Sequence, residues 1–299
     1  FMVTVSDGYG GTVQVPVTVA VSPANVNFVF VYGTGSQYWT PEARAALESA
    51  ATRLESTFVT GRPVTVTYDV TGKNDPGSGW LGTSYSNFSS GSPGFYGTVV
   101  QTRILTGVDT NGAAADSAIE MNFAYPWALG NNVSGNKYDF QSVATHELVH
   151  TLGIMSGLES PSNQNRNWTT YDSFLTTANG TDPIGADYVW NTAYTPNLTG
   201  SNGGLYFSGP NAVAAYGGPV PLYTPGTWTA GSSLTHLDPA DAPAGTTYLM
   251  DPNDGYGPGA RRLTPVEAAM FTDMGYTIYQ PSVYAVFFVG FFLRRRRRG

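Results

Sequence analysis

The sequence of 299 residues predicts an α+β fold. Two observations lead to this class. Strand-type alternation and helix-type apolar periodicity both occur, in the order strand, helix, several strands and then a helix that carries two histidines. This order is typical of an α+β lobe with a functional site beneath the edge of its sheet. The chain is also long enough to bury a full hydrophobic core.

The first 24 residues predict a β-hairpin followed by a linker. Met2–Val5 is short and apolar, glycines mark a turn, and valine occupies every second position from Val13 to Val21. The pattern resembles the last hairpin of a cadherin-like or immunoglobulin-like surface repeat. Because an isolated hairpin is only marginally stable, we interpret residues 1–24 as a remnant of such a domain and place a separate domain at 25–280.

Residues 27–124 predict a sheet and one helix. The helix has Thr40 as its N-cap and Pro41 at its first position, and its apolar face continues from Ala43 to Phe58. The predicted strands are Asn27–Tyr32, Val64–Val70 and Ile119–Ala124, with shorter strands around Tyr85 and at Thr98–Ile104.

The next helix, capped by Asp139, contains the pattern HExxHxxG between His146 and Gly153. Residues four apart lie on one face of a helix, so His146 and His150 point the same way and can hold one zinc ion. Glu147 lies to the side, close enough to hold a water bound to that ion. Gly153 suits a helix that stops and turns sharply, because glycine adopts left-handed conformations at little cost. Two buried structural histidines are the alternative, but the chain has only three histidines and two fall at this spacing.

Two features follow the histidine helix. Residues 157–235 contain few apolar runs and predict a long loop region, which is usually either functional or an insertion with small elements of its own. Thr264–Glu267 then forms a capping box with proline at the first helical position, and the helix is expected to reach Gly275.

A catalytic zinc needs a third protein ligand. The motif resembles that of the metzincin metallopeptidases, whose compact members place this ligand six residues after the second histidine. Here that position is Ser156, which is a poor zinc ligand. The chain is similar instead to the leishmanolysin-like branch, in which a long insertion precedes the third histidine; His236 would then be the third ligand and Met250 the methionine of the Met-turn. Asp238 and Glu267 remain alternatives as carboxylate ligands.

The resemblance implies a metzincin-like zincin fold with a twisted mixed sheet, an active-site helix and a C-terminal lobe. It implies a zinc-dependent endopeptidase in which Glu147 is the general base. The substrate would be a protein or peptide, and we place its cleft between the Ile119–Ala124 strand and residues 157–235. We expect a monomer. A surface adhesion or carbohydrate-binding module with a vestigial motif is the alternative, and the many Tyr and Trp residues favour it.

Composition indicates where the protein works and which ligands and partners it can have. Gly, Pro, Ser, Thr, Asn and Tyr are abundant and lysine occurs only twice, which is typical of a loop-rich secreted or surface protein. With no cysteine, any zinc must be held by His, Asp or Glu. Arg294–Arg298 supply five of the fourteen basic residues, so the other nine and 21 acidic residues leave positions 1–293 with a formal charge of −12. An acidic body argues against nucleic acid as a partner.

The last segment, residues 281–299, predicts a membrane-directed tail. Val283–Leu293 is apolar and precedes the five arginines, which resembles a bacterial C-terminal sorting signal, with only Gln280-Pro281 where Pro-Glu-Pro is usual. Arginines tend to stay cytoplasmic, so the catalytic domain would face outward, secreted or anchored at the surface.

Two loops are rich in oxygen donors. Asp109–Gly112 and Asp251–Gly255 have the donors that calcium prefers. Ordinary Asx turns explain the same residues, and both interpretations stay open at this point.

Overall fold

The computed structural model describes residues 2–6, 8–16, 26–162 and 165–279. The strands are β1 (Met2–Ser6), β2 (Thr12–Pro16), β3 (Val26–Tyr32), β4 (Val64–Lys73), β5 (Gly82–Tyr85), β6 (Gly94–Tyr96), β7 (Ser117–Asn122), β8 (Trp127–Ala128), β9 (Tyr138–Asp139), β10 (Asn167–Thr169), β11 (Leu175–Thr176), β12 (Tyr206–Phe207) and β13 (Val220–Pro221). The α-helices are α1 (Pro41–Glu55), α2 (Val99–Thr106), α3 (Phe140–Thr151), α4 (Pro210–Tyr216) and α5 (Pro265–Asp273). The predicted α+β class and the mixed sheet are confirmed.

A four-stranded sheet in the order β3-β4-β7-β5 positions the histidine helix. Strands β3, β4 and β7 are parallel, and β5 pairs antiparallel with β7. Strand β7, which contains most of the expected cleft strand Ile119–Ala124, is paired on both sides and is therefore not an edge, although its Glu120 lines the cleft described below. The edge next to α3 is β5, a four-residue polar strand that confirms the short strand expected around Tyr85. Its place at the edge is not visible in the sequence.

Helices α1 and α3 pack against each other, with α1 against β3 and α3 against β5 and β7. Thr40 caps α1 as expected, its hydroxyl accepting from the amide of Ala43 at 3.3 Å. The helix ends at Glu55 rather than at Phe58. The side chains of Ser56 and Thr57 both donate to the carbonyl of Arg53, which closes the last turn.

The expected strand at Thr98–Ile104 is wrong, because these residues begin α2. The Thr98 hydroxyl accepts from the amide of Gln101 at 2.9 Å, which is helix N-capping. Gly107 ends the helix with φ 72°, and Val100 and Ile104 are buried one turn apart. Cap chemistry and helical burial outweigh the strand preference of two adjacent valines.

After α3 the chain forms mostly short elements, as the composition of residues 157–235 predicts. Strands β11, β12 and β13 form a small sheet, and α4 packs against α5. Helix α5 begins with the predicted capping box and ends at Asp273, two residues before Gly275, which has φ 97°.

Three predictions concern the ends of the chain. Strands β1 and β2 pair antiparallel as expected, while residues 17–25, including the end of the second predicted strand and the linker, lie outside the described residues. The apolar tail and its arginines also lie outside them. In the part of the chain that is described, none of the helices combines the length and apolar character needed to cross a membrane.

Candidate metal centre

Helix α3 places two histidines on consecutive turns. Asp139 caps it, its Oδ1 accepting from the amides of Gln141 and Ser142, as the sequence predicts. The helix stops after Thr151, and Gly153 follows with φ 120°, in the region that favours glycine. A sharp exit at this point sends the chain back beside His150.

The third histidine comes from a separate part of the chain. An isolated bridge between Leu222 and Leu237 holds His236 in place, and the Leu237 amide donates to the Met250 carbonyl at 3.0 Å. The Nε2 atom of His146 lies 2.9 Å from that of His236 and 3.1 Å from that of His150. The structure thus brings together three histidines that lie close enough to bind one metal ion.

Each imidazole is held through its other ring nitrogen. The Nδ1 atom of His146 is hydrogen-bonded to the Leu249 carbonyl at 2.7 Å, and the Nδ1 atom of His150 to the Ile154 carbonyl at 2.7 Å. The Nδ1 atom of His236 is hydrogen-bonded to the Ser232 carbonyl at 2.8 Å. A carbonyl only accepts, so each neutral ring carries its proton on Nδ1. All three Nε2 lone pairs therefore point at one another.

Burial keeps these rings neutral. It lowers the pKa of His146 to about 4 and that of His150 to about 3, and it lowers the pKa of His236 well below its usual value. Nitrogen lone pairs about 3 Å apart repel unless a cation lies between them. The donor set, the fixed tautomers and the convergence of the rings fit a metal ion.

Glu147 lies in the same cleft and is 7% exposed. Burial raises the pKa of its carboxyl to about 8. It packs beside Gly82 of β5, where an added Cβ would lie 3.0 Å from its Cγ and 3.2 Å from its Oε1. The close approach of β5 to α3 thus depends on a glycine that no sequence motif marks.

The other ligands considered from the sequence have different partners. Ser156 donates to Asp172 at 2.6 Å, and Asp238 caps a short 3₁₀ turn through the amide of Ala240. Glu267 is completely buried in the α5 capping box. Met250 is also fully buried, beside the histidines, where its carbonyl accepts the bond from Leu237.

The two oxygen-rich loops form Asx turns. Asp109 accepts from the amides of Asn111 and Gly112 and pairs with Arg103 at 2.9 Å. Asp251 accepts from the amide of Asn253 at 2.8 Å. Within the described ranges, the three histidines are the only group of three or more His, Asp or Glu donors lying within 4.8 Å of one another.

A cleft of about 860 Å³ opens over the three histidines and Glu147. Its lining includes β5 with the preceding Trp80, together with Ala230–Ser233 and Asp251–Asp254. The expectation that part of 157–235 lines the cleft therefore agrees with the structure. The short strand expected around Tyr85 is confirmed as β5, but sequence reasoning missed its place in the cleft wall and the role of Gly82, for which the only local signal was a glycine in a short polar stretch.

Comparison with known proteins adds no assignment. No protein-family model matches the chain, and no curated protein has a matching sequence.

Proposed function

We propose that the protein is a zinc-dependent endopeptidase of metzincin type. The observation that supports this most directly is the convergence of three Nδ1-anchored imidazoles and the Glu147 carboxyl in one open cleft. Three histidines with an open fourth position are a common ligand set for catalytic zinc.

Zinc suits the residues present. Zinc–nitrogen bonds of about 2.0–2.1 Å in a tetrahedral site separate neighbouring nitrogens by about 3.3 Å, close to the 2.9 and 3.1 Å separations observed. The chain has no cysteine, which favours imidazole coordination over thiolate coordination. His146, His150 and His236 would hold the ion.

In the proposed reaction, Glu147 is the group of this chain that transfers a proton. A bound zinc supplies Lewis-acid chemistry, polarising the scissile carbonyl and acidifying water. The Glu147 carboxylate takes a proton as the water oxygen bonds to the carbonyl carbon. It then gives that proton to the amide nitrogen as the carbon–nitrogen bond breaks. Burial raises the pKa of the Glu147 carboxyl, whereas a cation held by the histidines would favour the ionised form that accepts the proton.

The substrate is proposed to be an extended peptide. Strand β5 is an edge strand beside Glu147, and an edge strand has backbone groups that can pair with another chain. Pairing there would bring a peptide carbonyl along the cleft toward the histidines. As part of the same proposal, the domain works outside the cytoplasm, secreted or surface-anchored, on the basis of composition and the 281–299 tail.

The test uses the full chain, its Glu147→Gln variant and an unstructured protein such as casein. We expect one zinc per chain in both proteins, and cleavage by the wild type that a chelator stops and zinc restores. Loss of the general base should lower kcat/KM about 10²–10⁴-fold while zinc stays bound. Full activity in Glu147→Gln would contradict the role of Glu147, and absence of both zinc and cleavage would favour the adhesion or carbohydrate-binding alternative.

A further inference from the structure

Glu267 makes contacts that a helix cap does not require. One carboxylate oxygen, Oε2, accepts from the amide and the hydroxyl of Thr264, both at 2.7 Å, which completes the capping box. The other, Oε1, accepts from the amide of Met250 at 2.7 Å. The side chain is 0% exposed. A capping box uses only the first set of bonds, so the second calls for a separate explanation.

The Met250 amide belongs to the same peptide group as the Leu249 carbonyl, and that carbonyl accepts the Nδ1 proton of His146 at 2.7 Å. One planar peptide therefore connects the Glu267 carboxylate to a histidine of the metal centre. A carboxylate bonded to the amide proton makes the carbonyl oxygen of the same group a stronger acceptor, because bonds in such a chain polarise one another. A stronger acceptor at Nδ1 fixes the ring and raises the basicity of Nε2.

The same turn also holds the third histidine. The Met250 carbonyl accepts from the amide of Leu237, the residue after His236, at 3.0 Å. A shift of the Leu249–Met250 peptide would therefore disturb two of the three imidazoles. The carboxylate at Oε1 is placed to prevent such a shift.

We propose that Glu267 is a positioning residue for the metal ligand His146, acting through the Leu249–Met250 peptide. This inference rests on the proposed function, because it assigns Glu267 to the support of that metal site. Glu267 touches neither metal nor substrate. It acts on metal affinity by holding and polarising the peptide that orients the ring.

The test compares Glu267→Gln with Thr264→Ala in the full chain. A glutamine side chain presents one amide oxygen and one donor group, so in Glu267→Gln it cannot satisfy both the Met250 and the Thr264 amides. Thr264→Ala removes the capping hydroxyl and leaves the Met250 bond intact. Both variants should lower the Tm, since both weaken the cap. Only Glu267→Gln should weaken metal binding, by about 10- to 100-fold, the usual effect of losing an outer-shell partner.

Two further measurements separate positioning from stability. With isotopically labelled histidine, the three Nδ1 protons can be observed individually, since the chain has three histidines. In Glu267→Gln the signal of His146 should move, with a smaller shift at His236 and none at His150, whereas none of the three should move in Thr264→Ala. Glu267→Asp keeps a charge in the first turn but is too short to bridge both 2.7 Å contacts, so it should match Glu267→Gln in metal affinity.

The results decide the role directly. Equal metal affinity in Glu267→Gln and Thr264→Ala, or wild-type affinity in Glu267→Asp, would overturn the proposal. If the wild-type chain binds no zinc, the proposed function fails. The Nδ1 signals of the metal-free Glu267→Gln variant still test whether Glu267 acts on the His146 ring: a shift at His146 with none at His150 supports the connection, and an unchanged His146 signal refutes it.

Discussion

Replacing Gly82 with alanine should impair catalysis without removing the metal. The new Cβ would lie 3.0 Å from Cγ and 3.2 Å from Oε1 of Glu147, and 3.1 Å from Sδ of Met121. Ordinary carbon contacts are about 3.5–4.0 Å, so Glu147 must move by about half an ångström. Glu147 belongs to the capped helix α3, which packs against β5. The side chain therefore has little room to move without leaving its place beside the histidines.

The expected loss in kcat/KM is about 10- to 100-fold, since a displacement of about 1 Å costs about 100-fold. Overpacking should cost about 1–3 kcal/mol of stability. Zinc content should stay at one per chain, because the clashing atoms belong to Glu147 and Met121. The assay is chelator-sensitive cleavage of a fluorogenic peptide beside metal analysis. Gly91→Ala is the matched control, since an added Cβ there meets no atom within 4 Å. Wild-type kcat/KM in Gly82→Ala, or loss of activity only in proportion to lost zinc, would refute the reasoning.

Two other predictions concern the metal centre directly. His236→Ala should lower zinc affinity more than 100-fold, since even the loss of an outer-shell partner costs about 10- to 100-fold. The control Asp238→Ala should keep one zinc per chain. Retention of zinc by His236→Ala would mean that another residue is the third ligand. In metal-free protein, the three histidines should lower the stability measured by urea unfolding as pH falls from 6.5 toward 4. Unfolded histidines protonate there, while folded His146 and His150 resist until about 4 and 3. Buried carboxyls whose pKa is raised oppose this, Glu147 to about 8 and Asp254 to about 7 among them, so the test compares the wild type with His236→Ala: a wild-type stability that falls no more steeply over this range than that of the variant would contradict the burial argument.

The histidine helix could be predicted because its determinants are local. Asp139, the spacing of His146 and His150, and Gly153 all lie within fifteen residues, and helical geometry fixes how they are arranged. The capping box of α5 is local in the same sense. His236 could be inferred only from the family resemblance and from the scarcity of histidine in the chain, because the contacts that place it are tertiary.

The cleft wall could not be predicted for a different reason. Strand β5 is short and polar, and its place at the edge follows from antiparallel pairing with β7, which leaves little trace in the sequence. Gly82 matters because of the distance between two elements rather than because of its own backbone angles. Glu267 looked like a cap or an alternative ligand, and only the bond to the Met250 amide distinguishes a third role.

The arrangement of the centre also bears on the adhesion alternative. A protein that uses these residues only as scaffold would gain nothing from three buried Nε2 atoms that point at one another, since each unsatisfied buried polar group costs about 1–3 kcal/mol. Three separate carbonyls nevertheless hold the rings in that orientation. Glu147 adds a buried carboxyl beside them, at a further desolvation cost. A cation would offset the cost of the three buried Nε2 atoms, and the Glu147 carboxyl would act as the base that deprotonates a water. A scaffold under no such demand would gain no stability from this arrangement, and the argument therefore favours a metal centre over the adhesion alternative.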